Sequence, residues 1–125
     1  MIVLDSSVVL ASVFEEPGRI ELVEVFAEAA ISSVNLGEVV SKCVERKIPD
    51  EMIGLLVEQC SQICHPLSVG QAVAAGGLRN ATRALGLSLG DRCCLALAMD
   101  LKATVFTADR AWAGLDLGIP IRVIR

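Results

Sequence analysis

The sequence predicts an α/β fold: a parallel central sheet of four to five strands, flanked by helices on both faces. Two observations predict the layout. Short runs rich in β-branched or apolar residues recur at Ile2-Val3-Leu4, Ala30-Ile31-Ser32, Thr104–Thr107 and Ile121–Ile124. Segments of helical periodicity separate them, which is the alternation that parallel sheets require. A third observation sets the scale. The chain has 125 residues and is 54% hydrophobic, so it reads as one domain, residues 1–125, with enough apolar surface for a real core and too much for disorder.

Taken in order, Ile2-Val3-Leu4 is too short for a helix and reads as a buried strand. A mostly apolar helix follows to Phe14, broken by Glu15-Glu16-Pro17-Gly18. Residues 20–29 look helical, with Ile20, Val23 and Phe26 or Ala27 on one side, and Ala30-Ile31-Ser32 is the second strand. The clearest amphipathic helix comes next, because Leu36, Val39, Val40, Cys43 and Val44 keep the i, i+3, i+4, i+7, i+8 spacing. Asn35 is read as its N-cap. Pro49-Asp50 opens a helix whose inner stripe is Ile53, Leu56, Val57, Cys60, Ile63 and Cys64, leaving Met52 and Leu55 turned towards a partner. Ser68-x-x-Gln71 is a capping-box pattern for a helix running towards Leu85, weakened at Gly76-Gly77 and ended by Gly86. Residues 91–101 are apolar nearly all round, so that helix should be buried. Asp109 caps a short helix around Trp112, after the strand Thr104–Thr107, and Pro120 leads into the last strand.

Composition narrows the function classes. No charge-free run is long enough to span a membrane, and Met1–Leu4 meets Asp5 at once, which does not suit a signal peptide. A formal net charge of -4 argues against simple electrostatic wrapping of a nucleic acid, although bound cations reverse a local field. Five cysteines, an odd number without zinc-type C-x-x-C spacing, read as buried free thiols of a cytoplasmic protein. His65 is the only histidine and, just before Pro66, is read as capping a helix end.

Sites on parallel sheets form beyond the carboxyl ends of the strands. Asp5 follows the first strand and Asp109 the strand 104–107, while Glu38 and Asp91 fall in the first turns of helices entering from the same rim. Singly, each has a bland explanation, since acids in first turns complement the helix dipole and cap free N–H groups. Jointly, four carboxylates on one rim repel one another and are costly unless a cation neutralises them. Oxygen ligands favour Mg2+ or Mn2+ over zinc, and such a site suits water attack on a phosphodiester. The hydroxyls of Ser6 and Thr107 stand beside the acids as orienting groups.

These residues resemble a known family. Ile2-Val3-Leu4-Asp5-Ser6-Ser7, Asn35-Leu36-Gly37-Glu38-Val39, the block Gly86–Ala98 around Leu89-Gly90-Asp91-Arg92 and Thr107-Ala108-Asp109-Arg110-Ala111-Trp112 together make the chain similar, nearly end to end, to PIN-domain ribonucleases of the VapC toxin type. The resemblance implies that Asp5, Glu38, Asp91 and Asp109 are metal-binding catalytic acids, that Thr107 supports the last of them, and that Asp116 is a further acid near the site. It also implies Mg2+- or Mn2+-dependent endoribonuclease activity, a homodimer, and a VapB-type antitoxin as partner. The Cys93-Cys94 pair beside Asp91 departs from the small or apolar residues usual there.

Arg92 and Arg110 each follow a site acid by one residue, which leaves two readings open: contact with RNA phosphates or an ion pair with a neighbouring acid. Arg79 and Arg83 read as a solvated helix face, and Arg122 and Arg125 as surface charge. Trp112 is read as packing against the sheet edge in preference to stacking on a base. At 3% aromatic, the chain is better suited to a folded RNA recognised by shape. Two other readings meet the sequence less well. A phosphoaspartate hydrolase of haloacid dehalogenase type needs a second acid two residues after the first, where Ser7 stands. A PIN-like module that only binds partners predicts a missing acid, and all four are present.

Overall fold

The computed structural model describes residues 1–125. Five strands form one parallel sheet: β1 (Ile2–Leu4), β2 (Ala29–Ser32), β3 (Cys64–His65), β4 (Thr104–Thr107) and β5 (Ile121–Val123), in the spatial order β3-β2-β1-β4-β5. The central strand β1 is flanked by β2, with Val3 opposite Ala30, and by β4, with Val3 opposite Val105. Connections leave β1 and β4 towards opposite sides, and such a switch opens a crevice at the strands' carboxyl ends.

Successive residues of the inner strands enter different cores. Leu4, Ile31 and Phe106 pack on one face with α1 (Ser6–Val13), the four-residue α2 (Leu22–Val25), α3 (Ser33–Glu45) and α4 (Asp50–Ser61). Val3, Ala30 and Val105 pack on the other with α7 (Leu89–Leu101) and Trp112. α5 (Val69–Gly77) and α6 (Arg79–Thr82) follow β3, and α5 packs against α7 through Ala75, Cys93 and Ala96. Cys93 to Ala98 of α7 are all buried, as an all-round apolar helix requires.

The two-sided parallel sheet is as the sequence predicts, with several local differences. Residues 20–29 do not make one helix: α2 gives way at Phe26–Glu28 to a 3-10 turn. α3 begins earlier than expected, its N-cap being Ser32, whose hydroxyl accepts from Val34 N–H at 3.3 Å. Asn35 is therefore inside the helix and does not cap it. α4 ends at Ser61, so Cys64 does not share a helix face with Cys60; with His65 it forms the edge strand β3, and His65 caps nothing. Ser68 caps α5 by accepting from Gln71 N–H, but the Gln71 side chain donates to Asp100 Oδ2 at 2.9 Å instead of closing the box. α5 stops at Gly77, and Gly86, at φ 69, ends the following 3-10 turn.

Charged residues expected on the surface also gain partners. Arg122 lies over the Phe106 ring at 4.9 Å, and Arg125 pairs with Glu16 at 2.5 Å and donates to the Ala108 carbonyl. Trp112 is 0% exposed in the second core, so it packs and is not free to stack on a base. Trp112→Ala is expected to lower unfolding free energy by about 3–5 kcal/mol, read as a fall in the urea midpoint. A midpoint within error of the wild type would refute that packing role.

Candidate active site on the carboxyl rim of the sheet

Asp5 is the centre of the rim. It leaves β1 as the N-cap of α1, its N–H still tied to the Phe106 carbonyl of β4, and it is only 3% exposed. Its Oδ2 accepts from Ser7 Oγ at 2.6 Å and Thr107 Oγ1 at 3.0 Å. Its Oδ1 is buried without any partner. Burial pushes the Asp5 carboxyl up to about 6; the Asp91 and Glu38 charges push the same way, against the two hydroxyls.

The orienting hydroxyl from α1 is Ser7, not Ser6. Ser6 is the first residue of α1, whereas Ser7 also accepts from Ala108 N–H at 2.9 Å, tying α1 to the end of β4. Thr107, expected to support Asp109, touches Asp5 with its side chain and Asp109 only at its backbone. Its Oγ1 supports Asp5 and accepts from Asp109 N–H at 3.1 Å, so one hydroxyl bridges the two ends of the rim.

Glu38 reaches the rim from the second turn of α3 and Asp91 from the first turn of α7. Asp91 closes a full capping box with Ser88: its Oδ2 accepts from Ser88 N–H at 2.9 Å, and Ser88 Oγ accepts from Asp91 N–H. The bland helix-capping role is therefore real, and it occupies one carboxylate oxygen. The thiol of Cys94, fully buried beneath, is pushed up by burial and then by Asp5, Asp91 and Glu38. Burial and these three charges keep Cys94 a protonated thiol.

Asp109 is exposed, and its Oδ1 caps the 3-10 helix Arg110–Gly114 by accepting from Ala111 N–H. Asp116 is exposed beyond that helix. The acids share a rim without being closed into a ready cage, since no three His, Cys, Asp or Glu side chains are close enough to hold an ion as they stand.

The arginine expectations divide. Arg92 is 8% exposed and donates from Nη1 to the Ala75 carbonyl of α5 at 3.0 Å, so it neither faces a substrate nor pairs with an acid. One residue on from Asp91, the helix has turned by about 100° and points Arg92 into the α5–α7 seam. Arg110 is exposed at the rim, and Arg79 and Arg83 are exposed on their helical turn, as expected.

Sequence reasoning missed Asn35, Ser7 and Gly90. Asn35 is fully buried and donates from Nδ2 to Glu38 Oε1 at 2.7 Å and to the Gly90 carbonyl at 3.1 Å. A Cβ on Gly90 would lie 2.7 Å from Glu38 Cδ, so the carboxylate fills the place of a side chain there. The signal for Asn35 was an amide among apolar positions of the α3 stripe; Gly90 gave none.

The donor chemistry, though not a closed cage, suits an oxygen-ligated divalent ion. The buried, unpartnered Asp5 oxygen and the convergent charges of Glu38 and Asp91 form a set without histidine or thiolate, the kind of donors that Mg2+ or Mn2+ takes.

The sequence matches a family model, described as PIN domain, over residues 2–116. No curated protein sequence matches it. Among solved structures, the fold is similar to a DNA-bound VapBC from Salmonella typhimurium, at TM-score 0.77 and 17% identity over 99% of this chain and 98% of that one. VapBC2 from Rickettsia felis, bound to a promoter DNA fragment, gives TM-score 0.72 and 19% identity over 98% of each chain. The sarcin-ricin loop cleaving toxin VapC20 of Mycobacterium tuberculosis gives 0.69 and 14%, over 93% of this chain and 97% of that one. At these identities the likeness is one of fold. The match over residues 2–116, on a sheet whose rim gathers Asp5, Glu38 and Asp91, makes the chain a member of the PIN domain family.

Proposed function

We propose that the protein is a Mg2+- or Mn2+-dependent endoribonuclease, one PIN domain over residues 1–125, acting as the toxin of a VapBC-type toxin–antitoxin pair in the cytoplasm. The observation that carries the reading is the Asp5 carboxylate: buried, oriented by Ser7 and Thr107, and left with one unpartnered oxygen beside the charges of Glu38 and Asp91. Keeping such a group charged is costly unless an ion compensates it.

Asp5, Glu38 and Asp91 would hold the ion, and Asp109 would join from the outer end of the rim. When bound, a divalent ion activates water for attack on the phosphodiester and offsets the charge that develops on it. The chain's own residues supply the rest. Ser7 and Thr107 keep Asp5 in one orientation. Arg110, exposed next to Asp109, would meet a backbone phosphate. The RNA would be read by shape, because Trp112 and Phe106, the aromatic residues nearest the acids in sequence, are buried and not free to stack on bases.

The neighbouring structures include VapBC complexes, which supports an antitoxin as partner. An apolar groove of about 330 Å³, lined by Val13, Ile48, Met52, Ile53, Leu55 and Leu56, lies away from the acids and leaves Met52 and Leu55 more than half exposed. It supports partner binding as part of the function, and a homodimer completes the proposal. No helix is long and apolar enough to cross a membrane.

The test is cleavage of total cellular RNA and of a structured RNA by the purified protein. Discrete cuts that need millimolar Mg2+ or Mn2+ and vanish in EDTA are expected. Cuts indifferent to EDTA, or no cuts under any ion, would refute the proposal. Equal cutting of an unstructured RNA of the same composition would refute recognition by shape.

A further inference from the structure

We propose that Asn35 is a positioning residue for the acidic rim: its buried amide clamps the Glu38 carboxylate against the first turn of α7 and so sets where Glu38 stands relative to Asp91. The inference rests on the reading of the rim as a metal site and adds the element that presets its geometry.

Three observations carry it. Asn35 has no capping duty, because α3 starts at Ser33, and the residue is 0% exposed. An amide NH2 has two hydrogens, and both acceptors within reach belong to the rim: Glu38 Oε1 at 2.7 Å on its own helix and the Gly90 carbonyl at 3.1 Å on α7. Its Oδ1 is buried with no partner. A side chain kept only for packing would be apolar here, since a buried amide left half satisfied costs stability and Asn is a poor helix former.

Gly90 provides the matching surface. Glu38 Oε1 and Oε2 both lie within 3 Å of where a Cβ would stand, so the carboxylate lies flat on bare backbone, one residue before Asp91. Asn35, Glu38 and Gly90 thus make one contact joining α3 to α7. Any larger residue at 90, or loss of the donor at 35, releases Glu38 without touching Asp5, Asp91 or their own partners.

Gly90→Ala separates this role from folding. Alanine favours a helix over glycine, and the three atoms nearest to its Cβ all belong to the Glu38 carboxylate, at the end of a side chain that can swing away. The metal-free variant should therefore melt no lower than the wild type in EDTA. Its affinity for Mn2+, followed by electron paramagnetic resonance of the free ion, should fall about 10- to 100-fold, the usual cost of losing a group that orients a ligand. Asn35→Leu should weaken Mn2+ binding over the same range. In a Glu38→Ala background neither change should alter Mn2+ affinity by more than about 2-fold, because both act through Glu38.

Wild-type Mn2+ affinity in Gly90→Ala would overturn the clamp, as would a full second loss in the Glu38→Ala background. Should Asn35→Leu fail to fold, Gly90→Ala decides alone. A wild type that binds no Mn2+ is a different failure: it removes the metal site itself, and the clamp with it.

Discussion

Asp5→Asn is expected to abolish RNA cleavage and, in the metal-free protein, to erase a pH dependence of stability that the wild type shows between pH 5 and 7. Both effects come from one buried carboxylate. Its folded value of about 6 lies above the ordinary 3.8, chiefly through burial. A raised carboxylate favours the protonated form in the folded chain. Its stabilisation is therefore fully present below pH 3.8 and is lost as pH rises through about 6. The two-unit difference corresponds to about 3 kcal/mol at pH 7, an order-of-magnitude figure. Less than half of that loss falls between pH 5 and 7, the rest between pH 3.8 and 5, so wild-type protein in EDTA should melt a few degrees lower at pH 7 than at pH 5, by about 3–5 °C per kcal/mol. Asparagine cannot titrate and still offers an oxygen to Ser7 and Thr107, so the variant should melt nearly alike at both pH values. Millimolar Mg2+ should raise the wild-type melting temperature at pH 7 by mass action and leave the variant unmoved. Retained cleavage would sink the assignment of Asp5, and a wild-type curve flat from pH 5 to 7 would sink the electrostatic account of it.

Much of this was legible in the sequence because the signals were local. Ile2-Val3-Leu4 and Thr104–Thr107 were readable as strands, and the all-round apolar stretch after Asp91 as a buried helix, since periodicity and β-branching act within a few residues. Asp5, Glu38, Asp91 and Asp109 suggested themselves as a group because a parallel sheet gathers the carboxyl ends of its strands on one rim. What stayed hidden depends on contacts between distant segments. Ser6 and Ser7 are adjacent and chemically alike; only the reach of Ser7 to Ala108 N–H and to Asp5 selects it. Arg92 looked like a rim residue because it adjoins Asp91, yet its direction is set by the Ala75 carbonyl on α5.

The capping expectations show the same limit. Asn35-x-x-Glu38 has the spacing of a capping box, but the chain had already entered α3 at Ser33, and the amide turned to Glu38 and Gly90 instead. Ser88-x-x-Asp91 makes the true box. Likewise, Cys64 and His65 looked like the end of a helix stripe, and they pair as β3 with Ile31 and Ser32 because the sheet has an open edge there. Tertiary pairing decided both cases over local pattern.

Asp91 is where the bland and the chemical readings meet, and Asp91→Asn separates them. One oxygen of the side chain accepts from Ser88 N–H at 2.9 Å, closing the box that starts α7. Asparagine keeps an acceptor oxygen of the same reach and is itself a favoured residue at helix starts, so the cap survives. What disappears is a unit charge facing Asp5. Its loss relieves repulsion, so the metal-free protein should be no less stable than the wild type, while Mn2+ affinity and cleavage should fall by about 100-fold or more, beyond the 10- to 100-fold typical of groups that merely orient a ligand. Asp91→Ala should show the same loss of cleavage and, in addition, a drop of about 1 kcal/mol in unfolding free energy for the broken cap. If Asp91→Asn cleaves RNA as well as the wild type while Asp91→Ala is only less stable, then Asp91 is a helix cap and the rim holds its ion without it.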